Sequence, residues 1–325
     1  MKKKFLLNTI LWFLVMTVYS QNFKLENLSF SNWGNFGISE IKFLSDSKLE
    51  YEYISYSYPI RVGLYSSEYG EIKSIITHDY LIKKDNGIPY ILLSEPIEID
   101  ELIHPESWGM RDRIKKDGEL TDDVRKKIYF LACSRNRNLE NDKYRFLVCG
   151  GFKRFPLFDS FERNYDKPEW ILYSNASSCL KENEIIYEEN NLYSYNWGCP
   201  WVEGVLGDGI GEYVEMQDTA PYERKFNFLL IMNGYYSMEK PYLYKQNSRV
   251  KQIKVTGLKS GNEKILDVLD TPHPQTVDIS FLETQEPFRV TIMDVYKGTK
   301  YEDTCINCME PYPYAVIPYE DSIGE

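Results

Sequence analysis

Twenty residues constrain this chain more than any others: Trp197 to Met216, reading WGCPWVEGVLGDGIGEYVEM. They hold two tryptophans, five glycines, four acids and a cysteine, then leave as a strand. Gly207, Gly209 and Gly211 fall at every second position. Glycine accepts positive φ and lets another backbone or a ligand come close. The series is not a dinucleotide fingerprint, because both the spacing and the strand–turn–helix context are absent. Nor is it a P-loop, since no Gly-Lys-Ser/Thr follows.

Downstream, apolar runs at 210–216, 226–232, 250–256, 264–269, 276–281 and 288–295 are separated by turn residues such as Asn233-Gly234, Gly257, Gly261-Asn262 and Thr271-Pro272. Phe288, Val290 and Ile292 face one way if Arg289 and Thr291 face the other. Short strands at this spacing, without helical stretches, predict a β-sandwich. Trp170-Ile171-Leu172-Tyr173 begins it. Four further motifs follow the glycine stretch in order: Asn233-Gly234-Tyr235; Asn247 to Lys251, reading NSRVK; Thr271 to Val277, reading TPHPQTV; and Val295 to Ile306, reading VYKGTKYEDTCI.

Together these motifs, over roughly residues 170 to 310, resemble the NADase-type glycan-binding domain, also called the NADase translocation domain. The resemblance implies a discoidin-like (galactose-binding-like) β-sandwich or jelly roll over 168–312. It also implies carbohydrate as the ligand class and a non-catalytic role. Nothing in the chain resembles the NADase catalytic half, so the reaction does not come with the name.

The glycan-binding candidates are Trp197, Glu203, Asp208, Glu212, Asn233 and Arg249. Trp197 sits among polar residues, after Tyr195-Asn196, and is the platform candidate for a pyranose face. Trp201 is assigned to the core, the commoner fate of tryptophan in a sandwich. For Glu203, Asp208 and Glu212 two readings stay open. They hydrogen-bond a sugar or ligate a structural calcium, or they cap turns and pair with Arg249 or Lys251. No cofactor is called for, and no metal motif is present.

The chain opens with Lys2-Lys3-Lys4, an apolar segment Phe5 to Val18, and Val18-Tyr19-Ser20 before Gln21. This describes a secretory signal peptide over 1–20, too short to span a bilayer at about 20 residues. Removing it takes away three lysines and moves the formal charge from −11 to −14. An acidic mature chain argues against nucleic acid as partner. The expected residence is secreted, periplasmic or cell-surface, with a glycan or another envelope protein as partner and no integral membrane span after cleavage.

Six cysteines in an exported chain read as disulfides. Proximity in sequence favours Cys133–Cys149 and Cys179–Cys199. Cys305-Ile306-Asn307-Cys308 reads as a structural disulfide, with redox chemistry and unpaired thiols as alternatives. One CxxC supplies only two zinc ligands, and no histidine lies near it.

Residues 21–160 form a first domain that resembles no family. Leu49, Tyr51 and Tyr53 alternate with Glu50 and Glu52, as in a half-buried antiparallel strand. Ile60, Val62 and Leu64 alternate likewise. Asn86-Gly87 between apolar runs predicts a hairpin, and Pro89 predicts that its second strand lies at a sheet edge. Thr121 can cap a short helix, a strand starts at Lys127, and Tyr144 to Cys149 pairs with it so that Cys133 and Cys149 oppose each other. The fold class is therefore all-β, with an antiparallel sheet or incomplete barrel ahead of the sandwich. The tail 313–325, rich in proline and acids, reads as flexible. His78, His104 and His273 belong to no triad or metal motif and read as structural or surface residues. The alternative function is a secreted hydrolase using first-domain carboxylates such as Glu98, Asp100 and Glu101; a third is a structural envelope protein whose sandwich docks a protein.

Overall fold

A computed structural model describes residues 29–31, 37–57, 70–97, 121–136, 145–148, 171–192, 198–237 and 240–318. The leader, the alternation at Ile60, Val62 and Leu64, the acids Glu98, Asp100 and Glu101, His104, Cys149 and Trp197 all lie outside the described residues.

The first sheet is an antiparallel meander of β1 (Ser29–Ser31), β2 (Gly37–Phe43), β3 (Lys48–Ser57), β4 (Gly70–Asp85), β5 (Ile88–Leu93) and β6 (Lys127–Asn136) in chain order. Leu49 and Tyr51 of β3 are buried. The β4–β5 hairpin turns at Asn86 and Gly87, with φ of 51° and 86°. Positive φ at both central residues is the condition for the tight turn that matches strand twist. One helical turn, α1 (Asp122–Arg125), precedes β6, and β7 (Arg145–Val148) pairs with β6 as a hairpin.

Two expectations for this half are corrected. β5 is not an edge strand, because it pairs with β4 along its length and with β6 at Tyr90, Ile91 and Leu92. Pro89 is tolerated because it lies one residue beyond the β6 ladder, so its missing N–H removes no bond there. The β6–β7 register sets Cys133 opposite Arg145, not opposite residue 149.

The second half contributes β8 (Ile171–Ala176), the small hairpin β9 (Lys181–Glu182) and β10 (Ile185–Ile186), β11 (Trp201–Val202), β12 (Tyr213–Asp218), β13 (Phe228–Asn233), a helical turn α2 (Leu243–Gln246), β14 (Ser248–Gly257), β15 (Glu263–Asp267), β16 (Gln275–Asp278), β17 (Phe288–Tyr296) and β18 (Thr304–Tyr312). Among the described residues, two antiparallel groups form: β16-β13-β18, with β11 on β18, and β14-β17-β12-β8, with β15 on β14. A two-residue parallel contact, Ser248 to Thr304 and Arg249 to Cys305, joins them.

The core lies between the groups. Leu229 and Ile231 of β13, Ile306 and Met309 of β18 and Trp201 of β11 meet Val214, Met216, Ile253, Val255, Phe288, Val290 and Ile292. β12, β13 and β17 supply alternate residues, the period-two pattern of a sandwich whose inner faces interdigitate.

The tail is also corrected. Ala315–Pro318 form β19, which pairs with β6 from Ala315 opposite Asn136 to Pro318 opposite Cys133. Val316 joins an apolar cluster with Ile88, Tyr129 and Leu131 from the first half and Leu230, Met232, Tyr236, Tyr244 and Cys308 from the second. Residues 315–318 thus close onto the first sheet. Proline and acid content reads as disorder in sequence, but four residues with one buried valine suffice for an edge strand.

Candidate functional site

The glycine stretch is built around a carboxylate that lies inside the protein. Glu203 follows β11 and has no exposed surface. Its Oε2 accepts from Val205 N–H at 2.9 Å and its Oε1 from Thr304 N–H at 3.1 Å. Burial pushes its pKa up, against the lowering effect of those two backbone donors. The chain then folds over this side chain. A Cβ on Gly209, whose φ is 65°, would stand 2.4 Å from Glu203 Cγ. Gly207 and Gly211 also carry positive φ but face open space. Gly209 is therefore glycine for room as well as for backbone conformation, while its two neighbours are glycine for conformation alone.

Asp208 sits at the tip and is tied on three sides. Its Oδ1 accepts from Ser248 Oγ at 3.2 Å, its Oδ2 pairs with Lys297 Nζ at 3.1 Å, and its carbonyl accepts from Thr304 Oγ1 at 2.8 Å. Glu212 closes the loop, its Oε2 accepting from Ser177 Oγ at 2.6 Å and from Ser178 Oγ at 2.5 Å. Ser178 Oγ in turn accepts from Gly204 N–H at 2.9 Å. The upper side of the loop is open to solvent. Leu206 is fully exposed, Ile210 is 55% exposed and Val205 is 41% exposed.

Asn233 and Arg249 lie elsewhere, inside the sandwich end. Asn233 has no exposed surface; its Oδ1 accepts from Val250 N–H and its amide donates to Val250 and Leu269 carbonyls. Arg249 is also buried. Its Nε and Nη2 clasp Asp270 at 2.7 and 3.2 Å, and Nη1 donates to the Tyr244 and Asn247 carbonyls. The guanidinium lies over the Tyr244 ring at 5.3 Å. Gly234 lies against both, since a Cβ there would stand 2.8 Å from Tyr244 and 2.9 Å from Arg249. Arg249 pairs with Asp270 and Lys251 with Asp294, so neither cation is the partner of Glu203, Asp208 or Glu212.

Of the six candidates, the structure brings Glu203, Asp208 and Glu212 into one loop, and leaves Asn233 and Arg249 with no surface to offer a ligand. The three carboxylates do not converge on a common point, each being engaged by its own donors, and among the described residues no group of three acids, histidines or cysteines is placed to hold a metal. A calcium site does not fit this loop. Trp201 is buried in the core, with Nε1 donating to the Ser178 carbonyl at 3.2 Å. His78 stacks on Tyr51 at 5.3 Å, and His273 is buried 6.1 Å from Phe130. The exposed tip at Leu206 and Ile210 was not among the candidates, because isolated apolar residues between glycines carry no motif.

Among the described residues, neither the Cys179–Cys199 nor the Cys305–Cys308 disulfide expected from sequence is formed. Cys179, Cys199, Cys305 and Cys308 are free thiols. Cys179 packs against the sandwich core and Cys199 against a separate small cluster. Cys305 and Cys308 lie on one extended strand, where three residues span about 10 Å, beyond the roughly 4.4–6.8 Å between Cα atoms that a disulfide bridges.

Architecture and loop together define a discoidin-like β-sandwich whose glycine-rich end loop is fixed from beneath. Residues 164–310 match the family described as NAD glycohydrolase translocation F5/8 type C domain. No curated protein matches the chain. Among solved structures, the family 32 carbohydrate-binding module of C. perfringens NanJ, in complex with galactose, is 14% identical; it covers 46% of this chain and 96% of its own, with a TM-score of 0.33. The family 32 module of Streptococcus pneumoniae EndoD is 9% identical over 44% of this chain and 94% of its own, with a TM-score of 0.33. A putative chitobiase fragment from Bacteroides thetaiotaomicron is 11% identical over 48% of this chain and 93% of its own, with a TM-score of 0.35. Among the described residues no helix is long and apolar enough to cross a membrane.

Proposed function

We propose that this is an exported, non-catalytic protein that recognises carbohydrate through the end loop of its C-terminal sandwich. Export rests on the leader, and the ligand class on the match over 164–310 to an F5/8 type C domain family. The observation that carries the binding face is the loop itself. Glu203 holds it from within, while Asp208, Glu212 and Ser177 border an open upper side beside Leu206 and Ile210. A loop already fixed before binding pays little ordering entropy when a ligand arrives. Trp197, just upstream, is proposed as the ring platform. Glu203, Asn233 and Arg249 are proposed as the frame, since each is buried with its polar atoms engaged.

The test is calorimetric titration of the full chain with a saccharide panel that includes galactose and N-acetylgalactosamine. Expected affinities are micromolar to millimolar, about −8 to −4 kcal/mol, with the sugar recovered unhydrolysed. Trp197→Ala and Glu212→Gln are expected to weaken binding at least tenfold without moving the melting temperature. Absence of binding across the panel, or unfolding by Trp197→Ala, sinks the platform. A second reading then stands, that the loop docks an envelope protein; full exposure of Leu206 on a fixed loop favours it.

A further inference from the structure

A second segment is fixed beside the glycine loop. Residues 297–301, in the connection between β17 and β18, are held by their own backbone. Thr299 N–H donates to the Lys245 carbonyl at 3.0 Å, and the N–H groups of Lys300 and Tyr301 donate to the Gln246 carbonyl at 3.1 and 2.8 Å. A Cβ on Gly298 would run into the Tyr301 and Gln246 carbonyls, so the segment sits directly on α2. Ser248, which has no exposed surface, joins it to the glycine loop through one hydroxyl. Its Oγ accepts from Gly298 N–H at 3.1 Å and donates to Asp208 Oδ1 at 3.2 Å. Lys297 stands at the head of this segment, 76% exposed, with Nζ 3.1 Å from Asp208 Oδ2. Among the described residues it is the cation paired with the glycine loop; Arg249 and Lys251 hold Asp270 and Asp294 instead.

We infer that Lys297 contacts the ligand of the proposed carbohydrate site, and that together with Asp208 it takes two neighbouring hydroxyls of an uncharged sugar. The inference rests on the carbohydrate reading above. An ammonium carries three N–H donors; Asp208 takes one, which leaves two for a hydroxyl oxygen. Asp208 Oδ2, beside it, accepts from the adjacent hydroxyl. A donor and an acceptor 3.1 Å apart thus suit a vicinal diol, one oxygen accepting and the other donating. A carboxylated sugar would meet Lys297 as well, but would set its charge beside Asp208 and Glu212, and like charges placed together disfavour the wrong partner. The hydrogen bond from Asp208 raises the Lys297 pKa, so the ammonium stays charged at neutral pH. An exposed lysine ordinarily loses rotamer freedom when a ligand fixes it. Here the pinned backbone and Asp208 hold it beforehand, so less ordering remains.

The experiment is calorimetric titration of the full chain with galactose, or with whichever panel sugar binds tightest, and with its monodeoxy analogues and its uronic acid. Lys297→Met is expected to weaken the sugar about tenfold at an unchanged melting temperature, and Lys297→Arg to weaken it less. One monodeoxy analogue should bind the parent about tenfold more weakly than the full sugar, yet bind Lys297→Met as well as the full sugar does. That analogue identifies the hydroxyl Lys297 meets. The uronic acid should bind the parent about tenfold more weakly than the neutral sugar. Lys300→Met is the control, from the same segment but with its Nζ over the Tyr301 ring at 4.7 Å, and should bind like the parent. Three outcomes overturn the inference and leave the carbohydrate reading standing: equal weakening by Lys297→Met and Lys300→Met, a deoxy series whose penalties all persist in Lys297→Met, or a uronic acid that binds as tightly as the neutral sugar. A lowered melting temperature in Lys297→Met makes the residue a brace of the loop and overturns it too. If the parent binds no sugar of the panel, that reading falls and this inference with it.

Discussion

At the scale of single residues, two carboxylates set the pH behaviour of the sandwich with opposite signs. Glu286 is nearly buried, which by itself raises a carboxyl pKa. Donors from Ser260 N–H, Glu283 N–H, Ser260 Oγ and Lys259 N–H overcome that and hold it below its ordinary 4.5. Its contribution is therefore complete above the unfolded value and is lost as pH falls through the lowered one. Glu203, raised by burial, works the other way, and its contribution fades as pH climbs through the raised value. In Glu286→Gln the amide keeps one acceptor but presents N–H groups to backbone donors. Urea unfolding from about pH 3 to 7 should show a flatter acid limb and a neutral-pH loss of ~1–3 kcal/mol. An acid limb as steep as the parent's rules out this assignment. Gly209 and Gly211 make a matched pair for the loop. Both have positive φ, at 65° and 95°, but only Gly209 touches Glu203. Alanine costs roughly 1 kcal/mol or more at either for backbone conformation. Gly209→Ala should cost distinctly more, and equal losses would show that packing on Glu203 does not hold the loop.

At the scale of elements, Trp201 is the test of the core. It lies on a two-residue strand yet fills the centre between both sheet groups. Trp201→Ala should lower stability by about 3–5 kcal/mol in chemical denaturation; a change within about 0.5 kcal/mol would place the ring outside the core. The strands around it were mostly legible beforehand. β12 to β17 fall on the apolar runs of the sequence, β12 and β17 by alternation of apolar and polar positions and β13, FLLIMN, as a continuous apolar run. β18 was not, although it is the central strand of its group and is buried along nearly its whole length. It reads TCINCMEPY, with Thr304, Asn307, Glu310 and Pro311 buried beside the apolar residues. A strand covered on both faces loses the period-two signal, and a register shift opposite Met232 and Asn233 breaks what remains. The site was legible in part for a related reason. The glycine spacing marks a loop, but nothing in Glu203 or Arg249 as letters tells a ligand contact from a buried brace. Only the donors around them do.

At the scale of the molecule, the last described strand decides whether two sheets behave as one unit. β19 donates its edge to β6, and Val316 sinks into the cluster shared by both halves. Thr276 of β16 reaches across to it, its Oγ1 accepting from Val316 N–H at 2.8 Å and donating to Val316 C=O at 3.2 Å. One hydroxyl thus satisfies both backbone groups of the same residue. Without β19 the cluster of Ile88, Leu131, Leu230, Met232 and Tyr244 loses part of its cover, and the β6 edge is left unpaired. Scanning calorimetry of the full chain should therefore show coupled unfolding of the two halves. Thr276→Val keeps the shape and removes both bonds, leaving Val316 N–H and C=O without that partner, at a cost of ~1–3 kcal/mol. Removal of residues 313–325 should go further, splitting the transition in two or lowering the first melting temperature by several degrees, roughly 2–4 °C for each kcal/mol lost in a chain of this size. If the truncated chain melts in one transition at the parent's temperature, β19 is an ornament on the edge and the two halves are held by the remaining cluster alone.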